Sequence, residues 1–281
     1  MVDPRDRIAS AAAPAWAIRT LQNALSAQGI AAKVYSQLGE APVGDRYIIA
    51  AGSENSTARR ILSAAKVNMP LGPEGLSLAE GKAEGRPALL ASGTDERGLV
   101  YAILELADRV KYGSPLDVKS PIVEKPANEI RSCARCFVSD IEDKSWFYDR
   151  ASWVEYLDTL ATHRFNRFNL TFGIGYNSNR NVPDSYLYFA YPFLLAVPGY
   201  NVTAVGLPDA ERDRNFETVK FISEQTVARG IQFNLALWSH AYQWPNTDTN
   251  YKIAGLTPES TRPTAGMDLP LSSRPAPQSR D

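Results

Sequence analysis

Residues 128–172 constrain the fold more tightly than any other stretch of this 281-residue chain. Residues 130–138 (IRSCARCFV) read as a buried strand, 153–163 (WVEYLDTLATH) as a helix and 165–172 (FNRFNLTF) as the next strand. A long connection, 173–207, leads to a helix over 209–229, with Phe216, Val219, Ile222, Thr226 and Val227 inward and Gly230 as its stop. A third strand follows at 232–238 (QFNLALW). Strands alternating with helices in this way predict a parallel sheet with right-handed crossovers. Between the first strand and its helix lies a charged and aromatic loop holding Asp140, Glu142, Asp143, Lys144, Trp146, Phe147, Tyr148 and Asp149. That is the C-terminal end of a strand, where an α/β barrel places its active face.

The residues before this stretch have a different grammar. Residues 1–13 read as disordered or frayed, and Pro14 opens a helix with Ile18, Leu21 and Leu25 on one stripe and Gly29 at its end. Short strands are expected at 32–36 and 47–51, a helix at 57–66, and further strands at 75–79 and 88–92. A clear helix spans 96–112, N-capped by Thr94 or Asp95, with Leu99, Ile103, Leu106 and Val110 along one face. Helices and strands in this order make a compact α+β domain over 14–112. Residues 113–127 (GSPLDVKSPIVEKPA), with three prolines, read as a linker or edge segment.

Composition narrows the classes of function. A net charge of -1 gives no electrostatic reason to expect nucleic acid or an anionic membrane as a partner. No apolar run reaches the roughly 18 residues of a membrane span, and the first residues lack a basic-then-apolar signal. The expected location is therefore cytoplasmic, with secretion or a periplasmic site open if the start is misassigned. Cys133 and Cys136 lie three apart in a strand, which sends them to opposite faces. Two further ligands for zinc are not near them, so strand packing is expected, with no metal and no cofactor.

The predicted strand ends carry a recurring chemistry. The first leads to Asp140, Glu142, Asp143, Trp146 and Tyr148, the second to Tyr176 and Asn177, and the third to Trp238, His240, Tyr242 and Trp244. Sugars present apolar C–H faces and a rim of hydroxyls, so their sites combine aromatic platforms with Asp, Asn, Arg and His. Arg131 and Arg135 alternate with apolar neighbours in the first strand, where an arginine must find either a carboxylate or a ligand. His163, at the end of a helix, reads as a capping residue.

Two tracts resemble known enzymes. Ser92-Gly93-Thr94-Asp95-Glu96-Arg97-Gly98-Leu99-Val100-Tyr101-Ala102, after a strand and opening a helix, resembles the end of the accessory domain that precedes the barrel in family 20 β-hexosaminidases and family 67 α-glucuronidases. Tyr47-Ile48-Ile49-Ala50-Ala51-Gly52 resembles the core strand of that domain. The resemblance implies an α/β chain: a small α+β accessory domain followed by a partial (β/α)8 TIM barrel of about three strands at 128–258. It implies hydrolysis of O-glycosyl bonds in an oligo- or polysaccharide, with no carry-over of catalytic residues, because the families' carboxylates lie on later strands. An arginine of the first barrel strand holds sugar hydroxyls in family 20. Arg131 is the position matched to it, with Arg135 the alternative. The substrate-binding set is then Arg131, Asp140, Glu142, Trp146, Tyr176, Trp238 and His240. A non-catalytic carbohydrate-binding or interaction protein is the competing reading.

Residues 259–281 lose all periodicity, and the residues after 128 fall well short of the ~250 that a closed eight-stranded barrel takes. Read one base out of frame, the tail from Pro263 can encode Asp-Cys-Arg-Asp-Gly-Leu-Thr-Ala-Leu-Leu-Lys-Ala-Cys-Pro-Ala-Ile, an amphipathic helix running into a strand. A frameshift that leaves an incomplete, inactive fragment is the expectation, against a natural disordered tail or a partial gene. An unclosed barrel would expose a strand edge and an apolar face, through which self-association is expected.

Overall fold

The computed structural model describes residues 1–137, 140–172, 191–196, 203–204, 207–237 and 253–254, and the chain is mixed α/β. It divides into two compact units. The first comprises Met1–Arg131, Leu157–Asn166 and Gln225–Gln232; the second comprises Ser132–Tyr156, Arg167–Glu224 and Phe233–Asp281.

In the first unit, helix α1 (Ala12–Ala27) precedes strand β1 (Tyr47–Gly52), helix α2 (Ser56–Ala64), strands β2 (Leu76–Ala83) and β3 (Arg86–Gly93), helix α3 (Glu96–Lys111) and the short strand β4 (Ile122–Glu124). The sheet order is β1-β3-β2-β4: β1 runs parallel to β3, while β2 is antiparallel to both β3 and β4. Strand β4 falls inside the proline-rich segment, which thus serves as an edge. The two sheet faces are covered differently. Ile49, Ala51, Ala79 and Leu90 share a buried cluster with Ala58, Ile61 and Leu62 of α2. The apolar stripe of α3 (Leu99, Ile103, Leu106, Val110) is buried throughout, as its period predicts, and so are Leu21 and Leu25 of α1.

The turn from β3 into α3 shows why its sequence is so specific. Asp95 caps the helix by accepting from the Gly98 N–H at 2.8 Å. Its other oxygen accepts from the Glu74 N–H at 3.1 Å, and Thr94 and Gly75 exchange bonds of 2.9 Å through Thr94 N to Gly75 O and Gly75 N to Thr94 Oγ1. A Cβ on Gly98 would lie 2.1 Å from the Gly75 carbonyl oxygen, and one on Gly93 would lie 2.0 Å from the Leu99 nitrogen. Only glycine allows that approach.

Two expectations for this unit fail. Residues 32–36 form no strand; a 3-10 turn, Leu38–Glu40, comes next instead. The first residues, expected to be frayed, are bonded to β1: Val2 forms a parallel bridge with Ala50, and Asp6 accepts from the Gly52 N–H at 2.9 Å.

In the second unit, β5 (Ser132–Phe137) and β6 (Arg167–Phe172) pair in parallel, from Ser132 opposite Arg167 to Phe137 opposite Phe172, and β8 (Gln232–Leu237) lies beyond β6. Helices α4 (Asp140–Phe147), α5 (Arg150–Thr162), α6 (Tyr191–Leu194) and α7 (Asp209–Val227) occur between these strands in the chain, α5 from Leu157 and α7 from Gln225 being assigned to the first unit, and the short strands β7 (Thr203–Ala204) and β9 (Ile253–Ala254) pair separately. The expected charged loop after the first strand is therefore largely helical. Within α7, Val219, Ile222 and Thr226 are buried as expected, but Phe216 and Val227 are exposed.

Candidate functional site

The end of β5 is organised by aromatic packing. Phe137 is fully buried, and its ring centroid lies 5.1 Å from Phe147, 5.4 Å from Phe172, 5.0 Å from Phe193 and 6.0 Å from Trp146. Such edge-on and tilted pairs each add about 0.5–1.5 kcal/mol beyond their burial. Asp149 starts α5 by accepting from the N–H groups of Ser152 and Ala151, both at 3.0 Å, and from the Ser152 hydroxyl at 2.8 Å; the Ser152 bonds above all hold its carboxyl below the usual range. The Trp153 indole N–H donates to the Phe147 carbonyl at 2.9 Å, and the Tyr148 hydroxyl donates to Asn215 Oδ1 at 2.5 Å.

On this cluster stands Trp146, half-buried, with its indole N–H donating to Asp143 Oδ1 at 2.8 Å. The Arg135 guanidinium lies 4.0 Å from the Trp146 ring centroid, 5.7 Å from Trp153 and 5.5 Å from Tyr156. Among the described residues the contacts of its guanidinium are these three rings. Cys133 Sγ is 3.2 Å from the Tyr156 hydroxyl, and burial first, then that bond, push the Tyr156 phenol up. The site thus offers an aromatic plate beside a cation able to take further hydrogen-bond acceptors.

Arg131 has a different fate, in the first unit. Its Nε donates to the Arg164 carbonyl at 2.6 Å, Nη1 to the Asn128 carbonyl at 2.7 Å, and Nη2 to the Tyr101 hydroxyl at 2.9 Å and to Glu74 Oε2. The guanidinium expected to hold a sugar is instead spent on protein acceptors, which is the carboxylate alternative for a strand arginine. Glu74 is 5% exposed and also accepts from Asn166 Nδ2 at 2.8 Å and Arg97 Nη1 at 3.0 Å. Burial pushes its carboxyl up, but the bonds from Asn166, Arg131 and Arg97 outweigh that, and its pKa lies below the ordinary value. Burial, and then the Glu74 charge, push the Tyr101 phenol up to about 12.

Sequence reasoning missed Glu74. It stands at φ 62 in the turn before β2, a backbone conformation costing about 1 kcal/mol for a residue with a side chain. The available signal was indirect: Arg97, Tyr101 and Arg131 needed a common acceptor.

Of the other expected site residues, Asp140 and Glu142 lie in α4, but their side chains fall outside the described residues, as do Tyr176, Trp238 and His240 altogether. His163 Nδ1 lies 2.8 Å from the Thr159 carbonyl, at the helix end where it was expected. Both cysteines are free thiols. Among the described residues no group of three or more His, Cys, Asp or Glu could hold a metal ion, and no helix is long and apolar enough to cross a membrane.

No family model and no curated protein matches the sequence. Among solved structures, the chain is similar to a GH138 enzyme targeting pectin rhamnogalacturonan II, at TM-score 0.52 and 19% identity over 79% of this chain and 29% of that one. It also matches a GH84 protein, CpGH84B, at TM-score 0.45 and 12% identity over 86% of this chain and 34% of that one. A further match is the GH20 beta-N-acetylhexosaminidase from Streptomyces coelicolor A3(2), at TM-score 0.34 and 17% identity over 68% of this chain and 41% of that one. The chain shares the fold of part of a glycoside hydrolase, and spans under a third of the length of the GH138 enzyme.

Proposed function

We propose that this chain belongs to a carbohydrate-active enzyme that hydrolyses O-glycosyl bonds. It would comprise an α+β accessory domain of the family 20 and family 67 type at 14–112, a linker at 113–127 and part of a TIM barrel at 128–258. The observation that carries the reading is the shared fold with the GH138 enzyme over 79% of the chain. The Trp146 plate with Arg135 beside it, at the C-terminal end of a parallel strand, supports it.

In this reading Trp146 stacks on a sugar face, and Arg135 takes over the hydroxyl-holding role first matched to Arg131. Asp140, Glu142, Tyr176, Trp238 and His240 complete the rim. The described carboxylates nearby are already engaged, Asp143 by Trp146 and Asp149 by the start of α5. Hydrolysis needs a carboxylic acid and a second carboxylate at a set separation. We therefore assign this chain to substrate binding and expect it to be inactive by itself.

The test pairs turnover with binding, using pectic, N-acetylated and glucuronylated oligosaccharides. Saturable binding without hydrolysis is the expected result. Hydrolysis by this chain that is lost in Asp140→Asn or Glu142→Gln would transfer catalysis to the first strand end. Leu235 and Leu237 of β8 are 41% and 47% exposed, which supports self-association through this apolar face. Light scattering across a concentration series, with Leu237→Lys as the control, tests that part.

A further inference from the structure

Burial alone does not set the register of β5, β6 and β8. In β5 only Phe137 is buried, and no residue of β8 is. In β6 the alternate residues Phe168, Leu170 and Phe172 are buried, which fixes the face each side chain takes. It does not fix the offset between strands, because a slip of two residues returns every side chain to the same face.

The places where the three strands start are bonded to one another, and all of them lie in the first unit. Arg131 precedes β5, Asn166 precedes β6 and Gln232 opens β8. Arg131 N donates to Asn166 Oδ1 at 2.9 Å, Asn166 N to the Arg131 carbonyl at 3.0 Å, and Gln232 N to the Asn166 carbonyl at 2.9 Å. Asn166 is therefore the middle start, 6% exposed, and its Nδ2 donates to Glu74 Oε1 at 2.8 Å and to the Glu129 carbonyl at 2.7 Å.

Glu74 reaches all three starts. It accepts directly from Arg131 Nη2 and from Asn166. The third it reaches through Arg97, whose Nη1 donates to Glu74 Oε1 at 3.0 Å and whose Nε donates at 2.6 Å to the carbonyl of Gly230, just ahead of β8. Glu74 is itself anchored, since its N–H donates to the Asp95 carboxylate that caps α3. The arrangement tolerates no offset. A two-residue slip of β6 would put Arg164 or Phe168 where Asn166 both donates to a carboxylate and accepts from a main-chain N–H, and neither side chain can do both. The same slip of β5 would put Glu129 or Cys133 in place of Arg131, one bringing a second negative charge and the other unable to reach the acceptors that Arg131 fills.

We propose that Glu74 and Asn166 form a register pin, through which the turn before β2 sets the offset of the parallel strands. Asn166 is the positioning residue: it reads Arg131 with its oxygen and Glu74 with its nitrogen, so replacing it by an isosteric carboxylate breaks the pin unless Glu74 is changed to match.

The test reads register directly in the full chain. Ala134→Cys and Thr171→Cys are introduced together, so that the thiol at 171 chooses between native Cys136, its partner in register, and the thiol at 134, which a slip of β5 would bring opposite. The second pair is roughly 8 Å apart in register, beyond the reach of a disulfide. Mild oxidation and peptide mapping, with tryptic cleavage after Arg135 separating the two products, give the ratio. Asn166→Ala and Asn166→Asp should each lower the ratio in favour of Cys136 at least about tenfold, the weight of one hydrogen bond to a charged group. Leu106→Ala, a cavity in α3 away from the pin, should leave the ratio within about twofold of the parent while lowering stability. Glu74→Gln combined with Asn166→Asp moves donor and carboxylate across the same bond and should bring the ratio back to within about threefold of the parent. A ratio unchanged in both Asn166 variants, or lowered as far by Leu106→Ala, overturns the proposal. Should Asn166→Ala not fold, Asn166→Asp and its combination with Glu74→Gln carry the test, and a ratio or a fold that the combination does not restore overturns it as well.

Discussion

The two units hold themselves together by opposite means. In the first, a buried carboxylate, Glu74, gathers donors from Arg97, Arg131, Asn166 and Tyr101, and the donors of Arg131 are spent within the unit. In the second, Phe137, Phe147, Phe172 and Phe193 interlock, and the arginine beside them, Arg135, meets only aromatic faces among the described residues. Two arginines four positions apart thus have unlike roles. A guanidinium fully bonded to protein is structural, whereas one laid on aromatic rings keeps its N–H edge for a ligand.

The contrast should be easiest to break at its charged centre. Glu74→Ala leaves the partly buried Arg131 without its anion and is expected to cost about 3 kcal/mol in chemical denaturation. Phe137→Ala should cost a similar ~3–5 kcal/mol by a different route, as a cavity with no charge left over. The two separate on acidification. The Glu74 pKa is lowered in the fold, so its contribution is fully present above the ordinary carboxylate value and is lost as pH falls through the lower folded value. Stability measured from pH 7 down to pH 2 should therefore fall less steeply in Glu74→Gln than in the parent, while Phe137→Ala keeps the parent slope. A smaller effect is expected at Arg135, where replacement by Leu should cost about 0.5–2 kcal/mol of stability, the range of cation–π contacts, and should weaken sugar binding more than stability.

How much of this could be read from the sequence differs between the units for physical reasons. Helix α3 was legible because its cap, its glycine and its apolar stripe all agree, and the order of β5, α5, β6, α7 and β8 followed from period alone. The segment 32–36 misled because alternation reports a wish to be covered on two faces, while forming a strand also needs a neighbouring edge, and Met1 and Val2 occupy that edge here. Residues 140–147 read as a loop because their charges hide the helix that Trp146 and Phe147 anchor. Glu74 was invisible because nothing local marks it: its partners are 23 to 92 residues away. The aromatic packing around Trp146 was legible, and the unlike bonding of Arg131 and Arg135 was not, since a carboxylate in a distant turn engages Arg131.

Titration of the full chain with an oligosaccharide panel by calorimetry, repeated with Trp146→Ala, tests the central claim most directly. Saturable binding to at least one member, weakened at least tenfold by Trp146→Ala with the fold intact by circular dichroism, is the predicted result. Absence of binding across pectic, N-acetylated and glucuronylated sugars, or binding that Trp146→Ala leaves unchanged, would contradict a carbohydrate site at the end of β5.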